Sequence, residues 1–126
     1  MTDYHSHILP GMDDGSRSVE ESLSLLREEM RQGIDTVVMT PHFYAGQNSP
    51  RRFLKRRYES FQKLLPRVDR SCPRIILGAE VQFFPGISDC EDLSLLTIGQ
   101  TKLLLLEMPF SRWDRQTVQE TLLLGE

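Results

Sequence analysis

A chain of 126 residues is sized for one domain with a real core, and the working assignment is a single domain over 1–126. With 26% charged residues and a formal charge of -3, it is too mildly charged to be a generic polyanion binder, so nucleic acid is not an expected partner. The longest apolar run, "LLLLEMPF" from Leu103, is too short to span a bilayer and is broken by Glu107 and Pro109, so no membrane span is expected. Cys72 and Cys90 lack metal-site spacing, and with no signal peptide ahead of them they read as free thiols in a reducing cytoplasm.

In chain order, Tyr4 to Leu9 reads as a first strand ended by the Pro10-Gly11 turn, and the Asp-rich segment after it as a loop. Ser18 followed by Glu21 has the capping-box pattern. Leu23, Leu26 and Met30 then recur at helical spacing until Gln32-Gly33. "IDTVVMTPH" predicts a buried strand that delivers His42 at its C-terminal end. An amphipathic helix is predicted from Ser49 or Pro50 to about Leu65, with Phe53, Leu54, Tyr58, Phe61 and Leu65 on the apolar side and a basic opposite side. "RIILGAEVQFF" is a third strand carrying Glu80, "KLLLLEMPF" a fourth carrying Glu107, and a last helix runs from about Asp114 to Leu124. This alternation predicts an α/β fold with mostly parallel strands and flanking helices.

In a strand, residues two apart share a face, so His5 and His7 present two imidazoles side by side while Ser6 faces away. Taken alone, such a pair reads equally as surface or core histidines. The only other histidine, His42, falls at the strand end where parallel α/β folds place their sites. Glu80 and Glu107 lie in segments otherwise so apolar that an unpaired carboxylate would be costly. A salt bridge to an arginine would satisfy Glu80, exposure to water would satisfy Glu107, and a shared metal centre would satisfy both. Asp13 and Asp14 add oxygen ligands nearby. Mixed His and carboxylate ligation without cysteine suits Mn, Fe or Zn, and so many ligands suggest more than one ion. Metal-assisted hydrolysis of a phosphate ester is the chemistry such a cluster performs.

The segments "DYHSHILPGMDDGSRSVEESLSLL", "TVVMTPHFY", "ILGAEVQF" and "LLLLEMPF", in that order, resemble the PHP (polymerase and histidinol phosphatase) superfamily. Within it they are most similar to the bacterial capsule-associated tyrosine phosphatases. The resemblance implies a distorted (β/α)7 barrel with up to three divalent ions, Mn foremost and Fe, Zn or Mg as alternatives, at the C-terminal strand ends. It implies hydrolysis, by a metal-bridging hydroxide, of phosphotyrosine on the tail of an autophosphorylating bacterial tyrosine kinase that controls capsule or exopolysaccharide polymerisation.

Carried over, His5, His7, Asp14, His42, Glu80 and Glu107 are similar to the family's metal ligands, and all of these except Asp14 to its catalytic set. Arg17 is a candidate phosphate contact. The family's further histidine, its phosphate-binding arginine and a late Asp-x-His pair have no counterpart, since the three histidines are already used. The chain therefore reads as the N-terminal half of the barrel, truncated at its C-terminus. Its exposed edge at the fourth strand invites a second copy, by dimerisation or domain swapping. The competing readings are a phosphatase of small phosphomonoesters such as histidinol phosphate, and an inactive half-barrel fragment.

Two further features have open roles. The run "RRFLKRRYESFQK" reads as a solvated helix face or as a docking surface for an acidic phosphorylated tail. Phe43 and Tyr44 either shape the substrate mouth or are ordinary packing residues.

Overall fold

The structure is a computed structural model that describes residues 1–109 and 114–125. Its helices begin where local chemistry says they should. Helix α1 (Val19–Arg31) is capped by Ser18, whose side chain accepts the Glu21 N–H, and it places acidic Glu20 and Glu21 in its first turn and Arg31 in its last, as the helix dipole favours. The reciprocal half of the capping box is displaced by one residue, because Glu21 Oε2 accepts from the Arg17 N–H at 3.4 Å. Helix α2 (Pro50–Leu64) starts from Ser49, which accepts the Arg52 N–H, with Pro50 at the position where a missing N–H costs nothing. The last helix, α3 (Arg115–Leu124), is capped by Asp114. Leu23 and Leu26 of α1 are buried as the spacing predicts.

On α2 the buried face is Phe53, Ser60 and Leu64, whereas Tyr58 is 61% exposed. Tyr58 lies five residues beyond Phe53, about 140° around the helix, and so leaves the apolar side to which the sequence reading assigned it. Leu65, at the helix end, is also exposed.

The strands depart further from expectation. The first is only β1 (Thr2–Asp3), not Tyr4–Leu9. "IDTVVMTPH" forms β2 (Thr36–Met39) and β3 (His42–Phe43), and "RIILGAEVQFF" forms β4 (Arg74–Leu77) and β5 (Glu80–Gln82). The expected fourth strand is realised as β6 (Leu105–Glu107), and its proposed end at Phe110 lies outside the described residues.

The six strands make two parallel three-stranded sheets, ordered β1-β2-β4 and β3-β5-β6. The breaks fall at Thr40-Pro41, where proline has no N–H to give the ladder, and beside it at Gly78-Ala79. Pairing is carried across them by two hydrogen bonds, from the Gly78 N–H to the Met39 carbonyl at 2.8 Å and from the Glu80 N–H to the Pro41 carbonyl at 2.9 Å.

Leu9, Leu26, Met39, Phe43, Phe53 and Leu64 are all essentially inaccessible and belong to one core cluster. Burying each such side chain contributes roughly 1.5–3 kcal/mol before conformational entropy is subtracted. Phe43 meets Phe53 edge to face with ring centroids 5.6 Å apart, which ties β3 to α2. At the other end, Glu120 of α3 accepts hydrogen bonds from the backbone N–H and the hydroxyl of Ser88, and its carboxyl is held below the usual range chiefly by that hydroxyl. Among the described residues no helix is long and apolar enough to cross a membrane.

Candidate metal centre

Three of the site residues are delivered by strand register. In the β3-β5 ladder His42 lies opposite Glu80, and in the β5-β6 ladder Glu80 lies opposite Leu105. Paired residues share a face and so do residues two apart, so Glu107 projects to the same side as Glu80 and His42. The other two arrive after β1 ends. Between them Ser6 turns inward: it is buried, its hydroxyl donates to the Val38 carbonyl at 2.9 Å, and its backbone carbonyl accepts from the Thr40 N–H at 2.8 Å. Thr40 Oγ1 accepts the Ser6 N–H as well. This lock sends His5 and His7 together toward the other strands' ligands, so the predicted alternation holds although the regular strand does not.

The three imidazoles converge on one carboxylate oxygen. Glu80 Oε2 lies 2.9 Å from His5 Nε2, 3.0 Å from His7 Nε2 and 3.4 Å from His42 Nδ1. Glu80 thus has imidazole partners, and the arginine salt bridge considered for it does not occur among the described residues. His5 and His7 bring their Nε2 atoms to 3.2 Å. His42 Nδ1 and Glu107 Oε2 face each other at 3.6 Å, beyond hydrogen-bond range, and both are buried with no hydrogen-bond partner.

Asp13 organises the centre from one side. Its Oδ2 accepts from His7 Nδ1 at 2.8 Å and from the His42 N–H at 3.1 Å, while Oδ1 accepts from the Gly15 N–H at 2.9 Å. Burial pushes its carboxyl upward, but the Gly15 and His42 amides and His7 outweigh it and hold it below the usual range. With Nδ1 engaged by Asp13, Nε2 of His7 is the ring nitrogen turned toward Glu80, the orientation that carboxylates impose on metal-binding histidines.

Gly15 is what lets this loop close. A Cβ there would stand 2.3 Å from the His7 carbonyl oxygen and 2.5 Å from His7 Cβ. The Ser16 N–H then bonds to that same carbonyl at 2.9 Å.

Three imidazoles and two carboxylates crowded together form a set of ligand atoms suited to positive charge between them. Three groups of ligand atoms each lie within 4.8 Å of one another: His5, His7 and Glu80; His7, Asp13 and His42; and His42, Glu80 and Glu107. The local field is negative as well. The Tyr44 phenol is pushed above its ordinary value by burial and then by Glu107, Asp14, Glu80 and Asp13. Orphaned buried donor atoms, a nitrogen and oxygen donor set without sulfur, and a surplus of carboxylates together fit divalent cations.

The remaining sequence candidates are placed differently. Asp14 is outside the three ligand groups and borders two cavities, one shared with His42 and Tyr44, the other with His5 and His7. Arg17 lines neither of them, whereas Arg56 of α2 lines the first. The arginines of the basic helix are placed in two ways. Arg57 folds inward, donating to the Gly78 carbonyl at 2.7 Å and lying over the Phe53 ring, while Arg56 stays exposed. Sequence reasoning did not single out the anchoring role of Asp13 or the position of Arg56. Nothing local marks either one, since both roles depend on loop closure and on contact across 44 residues from Met12 to Arg56.

Comparison with known proteins shows which family and fold the chain shares. The family model described as "Capsular polysaccharide synthesis, CpsB/CapC" matches residues 1–123. The tyrosine-protein phosphatase YwqE of Bacillus subtilis is 33% identical over 122 residues, covering 94% of this chain and 47% of its own. The tyrosine-protein phosphatase CpsB of Streptococcus pneumoniae is 30% identical over 118 residues, covering 92% of this chain and 48% of its own. A crystal structure from work on those two proteins, described there as metal-dependent tyrosine phosphatases, superimposes with a TM-score of 0.77 at 27% identity, over 99% of this chain and 51% of the other. The chain spans about half the length of the curated relatives it matches.

Proposed function

Given that the chain belongs to the CpsB/CapC family of capsular polysaccharide synthesis, we propose that it carries the metal-binding residues of a divalent-metal-dependent protein-tyrosine phosphatase. The observation that carries this reading is the convergence of three imidazoles on Glu80 Oε2 beside the orphaned His42 Nδ1 and Glu107 Oε2. His5, His7, His42, Glu80 and Glu107 are the proposed ligands, with Asp14 at the rim as a further carboxylate and manganese as the preferred metal. Bound there, divalent cations supply Lewis-acid charge for the phosphoester and acidify a water to serve as nucleophile.

The rest of the chemistry belongs to the protein. Asp13 fixes the tautomer of His7 and the backbone of His42, Ser6 and Thr40 hold the histidine pair in register, and the carboxylates repel anions except where positive charge offsets them. The reaction is phosphomonoester plus water to tyrosine plus phosphate, with no cysteine intermediate. Cys72 and Cys90 are free and lie outside the ligand groups, and a cytoplasmic setting is proposed for the chain.

The proposed substrate is the phosphotyrosine-bearing tail of a bacterial tyrosine kinase in capsule or exopolysaccharide control. A second copy pairing along the outer edge of β6 is the proposed assembly, and a strictly monomeric folded species in light scattering would exclude it. The activity is tested by phosphate release from a phosphotyrosyl peptide by the 126-residue chain. Release should require Mn2+, cease with a chelator and survive alkylation of both thiols. Loss of turnover on alkylation while metal stays bound would refute the mechanism.

A further inference from the structure

Beside the metal centre lies a cavity of about 370 Å³ bordered by Asp13, Asp14, His42, Tyr44, Asn48 and Arg56. It is continuous with the centre, because Asp13 and His42 belong to both. Tyr44 stands as its aromatic wall, stacked on His42 with centroids 5.2 Å apart and planes at 14°, and His42 stacks in turn on His7 at 4.5 Å. Of the described residues lining this cavity, Arg56 alone carries a lysine or arginine charge. Its Nη2 donates to the Met12 carbonyl at 3.3 Å, which aims the guanidinium over the loop that holds Asp13.

Three arginines elsewhere in the chain are ion-paired, Arg51 with Asp92, Arg67 with Glu20 and Arg31 with Glu28. Among the described residues Arg56 has no carboxylate within 4 Å, and its one hydrogen bond, to the Met12 carbonyl, engages one of its five N–H donors. A cavity otherwise lined by two aspartates would reject an anion. One unpaired guanidinium at its rim makes an oxyanion acceptable at that end.

We propose that this cavity is the phosphotyrosyl-binding pocket of the site, with Arg56 binding non-bridging phosphoryl oxygens and Tyr44 forming the wall beside the substrate ring. The assignment rests on the phosphatase reading above, and it replaces Arg17 as the chain's own phosphate contact. Arg56 is a substrate-binding residue, recruited from α2 rather than from a strand end.

The test is calorimetric titration of the Mn2+-loaded chain with a peptide bearing phosphonomethylphenylalanine, a non-hydrolysable phosphotyrosine mimic, and separately with inorganic phosphate. Arg56→Gln should weaken the peptide about tenfold, the loss of one charge-assisted contact. Arg56→Lys should recover part of the affinity, and Lys55→Gln, an exposed neighbour on the same helix, should change it by less than about twofold. Native mass spectrometry should give the same metal count for all four proteins. Equal losses for Arg56→Gln and Lys55→Gln would reduce the effect to long-range charge and overturn the proposal, and so would a wild-type chain that binds no peptide. If Arg56→Gln weakens phosphate and peptide alike while the mimic is bound no better than a phosphoserine analogue, Arg56 stands and tyrosine selectivity falls. If Mn2+-dependent phosphotyrosine hydrolysis is present and Arg56→Gln binds like wild type, the phosphatase reading stands and this assignment falls.

Discussion

His42, Glu80 and Glu107 reach the centre by a different route from His5 and His7. The first group is set by backbone ladders, in which parallel register alone puts the three side chains on one face. The second group follows a strand of only two residues and is held by small side chains: Ser6 and Thr40 beneath, Gly15 and Asp13 above. A ladder distributes its hold over many backbone bonds, so single substitutions seldom move it. A lock made of hydroxyls and one close-packed glycine concentrates its hold in a few atoms.

The comparison breaks most sharply at Gly15. Gly15→Ala places a methyl within 2.3 Å of the His7 carbonyl oxygen, so the loop must shift and carry Asp13 away from His7. We expect a loss of about 3 kcal/mol in urea denaturation, with manganese binding impaired more than the fold. Wild-type stability and metal content in this variant would show that the loop does not hold His7.

A smaller effect is expected beneath the histidines. Ser6→Ala strips the Val38 carbonyl of its hydroxyl donor, and Thr40→Val strips the Ser6 N–H of its acceptor, each inside the protein. Each should cost about 1–3 kcal/mol. Since the two side chains act on one short segment, the double variant should cost less than the sum of the two, and strict additivity in the cycle would separate them.

The smallest effect lies at Glu29, remote from the ladder group. Its carboxyl is raised to about 7 by burial and then by a hydrogen bond with Asp3 and the charge of Asp3. Between its ordinary value of 4.5 and about 7 the folded chain keeps a proton that the unfolded chain has released. Stability should therefore decline as pH rises through that window and level off above it. Glu29→Gln should flatten that part of the pH profile, and an unchanged slope would contradict the assignment.

The two routes differed in how readily they could be read from sequence. Helix starts were legible because Ser18, Ser49 and Asp114 announce them within a few residues. The same-face relation of His5 and His7 followed from period two, which survives even where regular pairing stops, whereas His42, expected at the end of one strand, opens β3 instead. Pro41 signals the end of β2, but the break at Gly78-Ala79 and the resumption of each run in a second sheet were not legible, because an apolar run looks the same whether it is one strand or two lying in separate sheets. Nor could adjacent Asp13 and Asp14 be told apart, since which of them meets His7 depends on the turn that Gly15 permits. Arg56 could not be preferred to Arg17 without the packing of α2 against the Met12 loop.

The central claim is that the two groups of ligands form one metal centre, and native mass spectrometry of the chain after incubation with Mn2+ tests it most directly. Two or more ions per chain, lost together in Glu80→Gln because Glu80 is the atom on which both groups converge, is the expected result. A chain that binds no manganese, or one whose manganese is indifferent to Glu80→Gln, would contradict it.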